Sequence, residues 1–226
     1  MSNTNLQLTW RRVKFEDFVD TSPSVKLERG EEYPFIPMEI VDGQSKFPTE
    51  IKYKNFIGGG SKFAKGDTIF ARITPCLENG KIAMIKDLKG GVGFGSTEFF
   101  VFRSKEGVSD SDFIYYLSRT DAIRDLAIKS MVGASGRQRA DKAVIDNLKI
   151  SVPPLSDQKQ IADVLSTYDD LIESNTRRVQ ILEQMALAIY TEWFVNFRFP
   201  GHKKVKMIDS GSDFGKIPEG WEIKKL

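Results

Sequence analysis

The 226-residue chain carries a single cysteine, Cys76, and a single histidine, His202. One thiol excludes an internal disulfide and a cysteine-based zinc site, and one imidazole excludes a histidine cluster. A metal centre and a Cys/His catalytic pair therefore drop out of the expectations. No run approaches the roughly 18 apolar residues of a membrane span, and residues 1–9 are polar where a signal peptide would carry its apolar core. The expected location is the cytoplasm. A strong charge of one sign is also lacking, at a formal net of +2, but the distribution is uneven. Residues 44–105 hold eleven Lys or Arg against five Asp or Glu, net +6, whereas residues 151–199 hold four against seven, net −3. A basic middle suits a nucleic-acid partner and equally an ordinary solvated face. With 40% hydrophobic residues the chain can bury the core of one domain plus an extension.

The longest pattern is helical. Between residues 156 and 194 there is no Pro or Gly, and core-type residues recur at Ile161, Leu165, Tyr168, Ile172, Asn175, Val179, Leu182, Ala186, Ile189 and Trp193. The steps alternate four and three, which is a heptad seam. A helix of that extent would be a rod of roughly 58 Å. Many helices with this spacing pack on their own domain, but the length favours one that leaves its domain to meet another helix. Ser156 reads as the N-cap, with Asp157 suited to the positive helix end. Asn175 is either a tolerated polar core residue or a device that fixes register.

Ahead of the helix, residues 10–18 show no clear period and read as a lead-in. Strands are expected over 33–40, 51–57, 68–73, 81–86, 98–103 and 147–152, rich in β-branched and aromatic residues and bounded by Gly and Pro. Gly58-Gly59-Gly60-Ser61 lacks the Gly-Lys-Ser/Thr ending of a phosphate loop and reads as a flexible connection, with Lys62 beside it as a possible phosphate contact. Asn79-Gly80 reads as a hairpin turn, and Gly90, Gly91, Gly93 and Gly95 as a tight passage. Ser109 with Asp112 resembles a capping box that opens a helix carrying Phe113, Tyr116 and Leu117, and a second helix is expected over 121–129. Residues 132–139, Val-Gly-Ala-Ser-Gly-Arg-Gln-Arg, form a small-residue loop ending in side chains suited to base edges and phosphates. An exposed arginine pair is equally at home in water. Past Pro200-Gly201 the chain is polar and loop-like to 213. Trp221-Glu222-Ile223-Lys224-Lys225-Leu226 then echoes Trp10-Arg11-Arg12-Val13-Lys14-Phe15, as a second copy of the domain would if it began there.

Four pieces together resemble the specificity subunit of type I restriction-modification enzymes. They are residues 66–81 (Gly-Asp-Thr-Ile-Phe-Ala-Arg-Ile-Thr-Pro-Cys-Leu-Glu-Asn-Gly-Lys), Ser96-Thr97-Glu98-Phe99, the 133–138 loop, and Val152-Pro153-Pro154-Leu155 with Gln158, Ile161, Leu165, Asp169 and Ile172. The resemblance runs from about residue 10 to 194. It implies an α+β fold, in which a target recognition domain with a curled mixed sheet and short helices (1–152) is followed by a long conserved coiled-coil helix (153–199) and a linker with the start of a truncated second repeat (200–226). Full members look like two such units with antiparallel helices, so this chain is expected to be a half-length form, natural or truncated. The resemblance implies double-stranded DNA as partner, no catalytic site and no cofactor in this chain, a methyltransferase subunit using S-adenosylmethionine, and a restriction subunit using ATP and Mg. The DNA-binding candidates are Lys62, Arg72, Thr74, Lys81, Ser96, Thr97, Ser135, Arg137, Gln138 and Arg139, and the seam is the candidate homodimer interface. Two other readings stand beside it: a coiled-coil adaptor whose domain binds a non-DNA ligand, and a hydrolase using scattered carboxylates such as Glu98.

Overall fold

The segments Thr68–Ala71 (β6) and Phe99–Ser104 (β9) are apolar on both faces, so the sheet they form must be covered on both sides. The computed structural model describes residues 10–134, 136–213 and 215–224. In it these two are the middle strands of an antiparallel sheet of order β2-β9-β6-β7, with Val19–Asp20 (β2) and Ile82–Met84 (β7) at the edges. Side chains alternate along them as the pleat requires. Phe70, Phe100 and Phe102 join Phe15, Phe18, Phe113 and Tyr115 in one core, while Ile69, Ala71, Phe99 and Val101 join Ile36, Phe63, Ala83 and Ile85 in another. Each fully buried Phe or Ile contributes about 1.5–3 kcal/mol.

Four short helices supply the first core: Phe15–Phe18 (α1), Ser111–Ser118 (α2), Asp121–Lys129 (α3) and Lys142–Asp146 (α4). The second core is closed by another sheet, made of Glu32–Ile36 (β3), Lys52–Asn55 (β4), Ser61–Ala64 (β5) and Val92–Gly95 (β8) in the order β4-β3-β8-β5. The β3–β8 pair is parallel, which makes this sheet mixed. Arg11–Lys14 (β1) pairs antiparallel with Lys149–Val152 (β10) and ties the start of the domain to the strand before the long helix. The expected α+β class is what forms, with the curled sheet resolved into two four-stranded layers.

Several local expectations differ from the structure. The lead-in 10–18 is β1 and α1, because β1 finds its partner only at β10, far along the chain. The glycine passage contains β8: Gly93 and Gly95 lie in the strand because a Cβ on Gly93 would come within 2.7 Å of the Pro34 carbonyl oxygen, and one on Gly95 would overlap that of Ile36. Asn79-Gly80 does not make a two-residue hairpin. The chain leaves β6 at Ala71 and returns at β7 through a longer loop with Leu77 N–H on Ile73 O, Asn79 N–H on Pro75 O and Gly80 N–H on Leu77 O, and Gly80 alone of the pair has positive φ. Helix α2 is capped by Asp110, whose carboxylate accepts from Phe113 N–H, while Ser109 Oγ accepts from Lys105 N–H.

The chain packs as two units, Met1–Asp170 and Leu171–Leu226, and the long helix, Leu155–Tyr190 (α5), contributes to each. Its start corrects the Ser156 cap: the amides of Asp157 and Gln158 both donate to Pro154 O at 3.0 Å, and Ser156 Oγ turns to the Asp157 carboxylate. The fixed φ of Pro154 is already close to helical, so the helix begins directly after it. Within the first unit the side of α5 that meets the domain is small and polar, with Gln158 and Ala162 buried and Ser166 and Asp169 half-buried. Lys46 Nζ, on a side chain only 5% exposed, donates to Asp112 (2.6 Å), Ser166 (2.8 Å) and Tyr116 (3.2 Å), and the Tyr116 hydroxyl donates to Asp169 at 2.5 Å. Burial and the Asp169 carboxylate push the Tyr116 phenol above its ordinary value.

Within the second unit, helix α5 gives way after Tyr190 to a π-helical turn, Thr191–Val195, in which Asn196 N–H donates to Thr191 O. Trp193 therefore falls outside the α-helical register expected for it. The wider turn sets Phe194 5.3 Å from the Tyr190 ring and 5.6 Å from Trp221, which also meets Phe197 and Phe199. Within the stretch expected as a polar loop, Met207–Asp209 (β11) is a strand, and it forms a hairpin with Lys216–Pro218 (β12) just beyond that stretch. Residues 221–224 are in no strand, unlike their echo at β1, and Lys225 and Leu226 lie outside the described residues. Among the described residues no helix is long and apolar enough to cross a membrane, and no cluster of His, Cys, Asp and Glu could hold a metal ion.

Candidate nucleic-acid interface

The loop between β6 and β7 and the loop between α3 and α4 are stitched together by the backbone. Arg139 bridges to both Ile73 and Val132. Thr74 N–H donates to Gln138 O (3.0 Å), Gln138 N–H donates back to Thr74 Oγ1 (3.1 Å), and Ala140 N–H donates to Arg72 O (2.7 Å). On its other side Arg72 N–H donates to Glu98 O at 3.0 Å, at the mouth of β9. Three segments distant in sequence thus meet at one end of the two sheets.

Their side chains meet at Glu98. Arg139 donates from Nε (2.9 Å) and Nη2 (2.6 Å) to its carboxylate, and Arg72 donates from Nε (3.2 Å) while its guanidinium lies 5.5 Å from the centre of the Phe100 ring. The Arg139 guanidinium, with Arg72 beside it, holds the Glu98 carboxyl below its ordinary range although partial burial pushes the other way. Two guanidinium groups against one carboxylate leave a surplus positive charge. Ser96 Oγ accepts from Glu98 N–H, Thr97 is exposed in the same turn, and Ser61 Oγ donates to Phe99 O (2.7 Å). Arg137 is exposed in the loop and Gln138 is half-buried.

The structure therefore gathers Arg72, Thr74, Ser96, Thr97, Arg137, Gln138 and Arg139. The side chains of two other candidates are engaged elsewhere. Lys62 alternates with the buried Phe63, so it faces the outer side of the second sheet, where its Nζ sits 5.1 Å over the Phe56 ring. Lys81 donates its Nζ to Met38 O at 2.9 Å. Ser135 lies outside the described residues. Glu98 as the shared anchor of two arginines was not anticipated. Its place in the Ser96–Phe99 piece, an acid opening an apolar strand within a basic region, was the signal that could have found it.

The seam residues of α5, and Trp193 in the turn that follows it, are exposed within this single chain. Tyr168 and Leu182 are each 62% accessible and Ile172 59%, and Ile161, Leu165, Val179, Ile189 and Trp193 are likewise exposed, as are Asn175 and Ala186.

The sequence model of the type I restriction modification DNA specificity domain matches residues 8–184. The chain belongs to this family. A relative named as the type I restriction enzyme EcoAI specificity subunit of Escherichia coli is 28% identical over 185 residues, covering 78% of this chain and 31% of that subunit. The MjaIX specificity subunit of Methanocaldococcus jannaschii is 33% identical over 122 residues, 54% of this chain and 27% of that one. Among solved structures, the HsdS subunit from Thermoanaerobacter tengcongensis matches with a TM-score of 0.58 at 20% identity, covering 89% of this chain and 54% of that one. The S subunit of a type I system from M. genitalium matches with a TM-score of 0.58 at 15% identity, over 93% and 54%. These structures share the specificity-domain fold with this chain. The chain spans about a third of the length of the curated specificity subunits it matches and about half that of the structural neighbours.

Proposed function

We propose that the chain is the DNA-reading module of a type I restriction-modification system, one recognition domain with one conserved helix, which selects the sequence on which partner subunits act. The observation that carries this reading is the convergence of Arg72–Thr74, Ser96–Glu98 and the 137–139 loop on one sheet end with surplus positive charge, in a chain of the specificity-domain family. Arg and Gln are the side chains suited to base edges, while Ser, Thr and backbone amides suit phosphates. In this reading Arg72, Thr74, Ser96, Thr97, Ser135, Arg137, Gln138 and Arg139 meet the duplex, and Lys62 and Lys81 add to the field that draws the phosphate backbone in.

The chain makes and breaks no bonds in this account. Adenine methylation with S-adenosylmethionine is the work of a methyltransferase subunit, and cleavage with ATP and Mg that of a restriction subunit, all in the cytoplasm. The exposed seam of α5 pairs antiparallel with a second copy, since apolar side chains left in water gain by burial against another helix. Two identical domains then face two half-sites, and the recognised sequence is an interrupted palindrome. The test is a triple change of Arg137, Gln138 and Arg139 to Ala, with binding measured on a duplex selected by the wild-type chain from a randomised pool. Loss of one base-reading pair weakens that binding about tenfold or more. Unchanged affinity in a variant with native circular dichroism overturns the placement of the interface at this loop.

A further inference from the structure

Arg72 and Arg139 both offer their Nε to the same carboxylate, so the orientation of both guanidinium groups is set by Glu98. Nη1 and Nη2 of Arg72 are not among the atoms that hold Glu98, nor is Nη1 of Arg139, whose Nη2 completes the grip at 2.6 Å. Below the Arg72 guanidinium the Phe100 ring provides a floor at 5.5 Å. The loop itself does not depend on this contact. Its backbone is held by the pairs between Thr74 and Gln138, between Arg139 and Val132, and between Ala140 and Arg72, and Glu98 keeps its own main-chain bond from Arg72 N–H whatever its side chain is.

We propose that Glu98 is a positioning residue for sequence specificity: it presents the Arg72 and Arg139 guanidinium groups as an oriented pair for base edges, and its negative charge opposes binding to arbitrary duplex. This rests on the DNA-reading function proposed above. Two physical effects follow from the one carboxylate. Orienting an arginine before binding removes an ordering cost that the complex would otherwise bear, which favours the one sequence whose base edges match. A carboxylate beside the phosphate track is repulsive for every sequence alike, so it lowers affinity for arbitrary duplex, while the discrimination itself comes from the oriented guanidinium pair. The Gln side chain has nearly the same shape but carries an N–H2 group where the arginines need an acceptor, and no charge. The two effects therefore move in opposite directions in Glu98→Gln, which neither a purely structural role nor a purely electrostatic one produces.

The experiment uses the full chain as wild type, Glu98→Gln and Glu98→Asp. A duplex pool with a randomised centre is selected on the wild type, and affinities are then measured at fixed ionic strength for the selected duplex and for poly(dI-dC)·poly(dI-dC). The expected result for Glu98→Gln is about tenfold or more weaker binding of the selected duplex, the loss of one oriented base contact, together with tighter binding of poly(dI-dC)·poly(dI-dC), and unchanged binding of the latter overturns the role given to the charge. Glu98→Asp, which keeps the charge, retains the weak poly(dI-dC)·poly(dI-dC) binding of the wild type. Equal weakening on both probes makes Glu98 merely structural, and equal tightening on both makes it merely a repelling charge; either overturns the proposal. A wild-type chain that selects no sequence from the pool removes the DNA-reading function itself, and this inference with it.

Discussion

Replacing Gln158 with Leu removes the polar link between the first turn of α5 and the start of α2 while keeping most of the side-chain volume. Gln158 is fully buried. Its Oε1 accepts from the Asp110 N–H at 3.0 Å, and its Nε2 donates to the carbonyls of Pro153 (3.0 Å) and Val108 (3.2 Å). Leucine takes the partner from one donor and two acceptors, of which only the Pro153 contact is fully buried and those of Asp110 and Val108 are partly buried. An orphaned buried polar group costs about 1–3 kcal/mol, and a carbonyl with a second lone pair or a group within reach of water falls toward or below the lower end, so the three together are expected to cost about 2–3 kcal/mol. Against the 5–15 kcal/mol stability typical of a domain, that is a large share. Urea unfolding followed by circular dichroism would show the midpoint falling at unchanged slope. A loss below about 1 kcal/mol would refute the reasoning, since it would mean that these backbone groups are satisfied without the glutamine.

Other outcomes follow from the same contacts. Gly95→Ala puts a methyl group onto the Ile36 carbonyl oxygen and beside the Phe63 ring, and is expected to destabilise by about 1–3 kcal/mol through overpacking; thermal melting no lower than wild type contradicts the close β3–β8 approach. Because the folded Glu98 carboxyl sits below its ordinary value of 4.5, the stability it adds is fully present above that pH and is lost as the pH falls through its lower folded value. The stability difference between wild type and Glu98→Gln should therefore be flat from neutrality down to the ordinary carboxylate range and shrink only below it; a difference that fades already near neutral pH contradicts the double ion pair. Changing Ile172 and Leu182 together to Asp is expected to give monomers in sedimentation, and a wild-type chain that is monomeric at high micromolar concentration rules out pairing through the seam.

What the sequence disclosed was local. Helix α3 runs over the residues expected for it, 121–129, because its apolar period, with Ile123 and Ala127 buried, and the Lys129 in its last turn lie within its own span. Strands β6 and β9 sit where their apolar runs put them, with ends shifted by one or two residues where Arg72 and Glu98 turn toward the site. The errors arise where a distant partner decides. Nothing within residues 92–95 says strand, since glycine is depleted in strands; the carbonyls of Pro34 and Ile36 and the Phe63 ring require it. Likewise β1 is a strand only through β10, and Lys46 reads as one more surface lysine until Asp112, Tyr116 and Ser166 surround it. The site shows the same division. Arg72, Thr74, Ser96 and the 137–139 loop could be chosen by residue type and family resemblance, but their meeting at Glu98 depends on the pairing of Ile73 with Arg139. Lys62 was grouped with them for its charge and its place beside the Gly58–Ser61 turn, and strand alternation turns its side chain to the outer side of its sheet.

The central claim is that this chain reads DNA sequence, and the most direct measurement is its affinity, as a function of salt, for a duplex selected from a randomised pool and for the same duplex with its central bases permuted. The account predicts a preference of about a thousandfold or more for the selected sequence at physiological salt, with affinity for both falling steeply as salt rises. Affinities that agree within a few-fold for the two duplexes, or that do not change with salt, would contradict it.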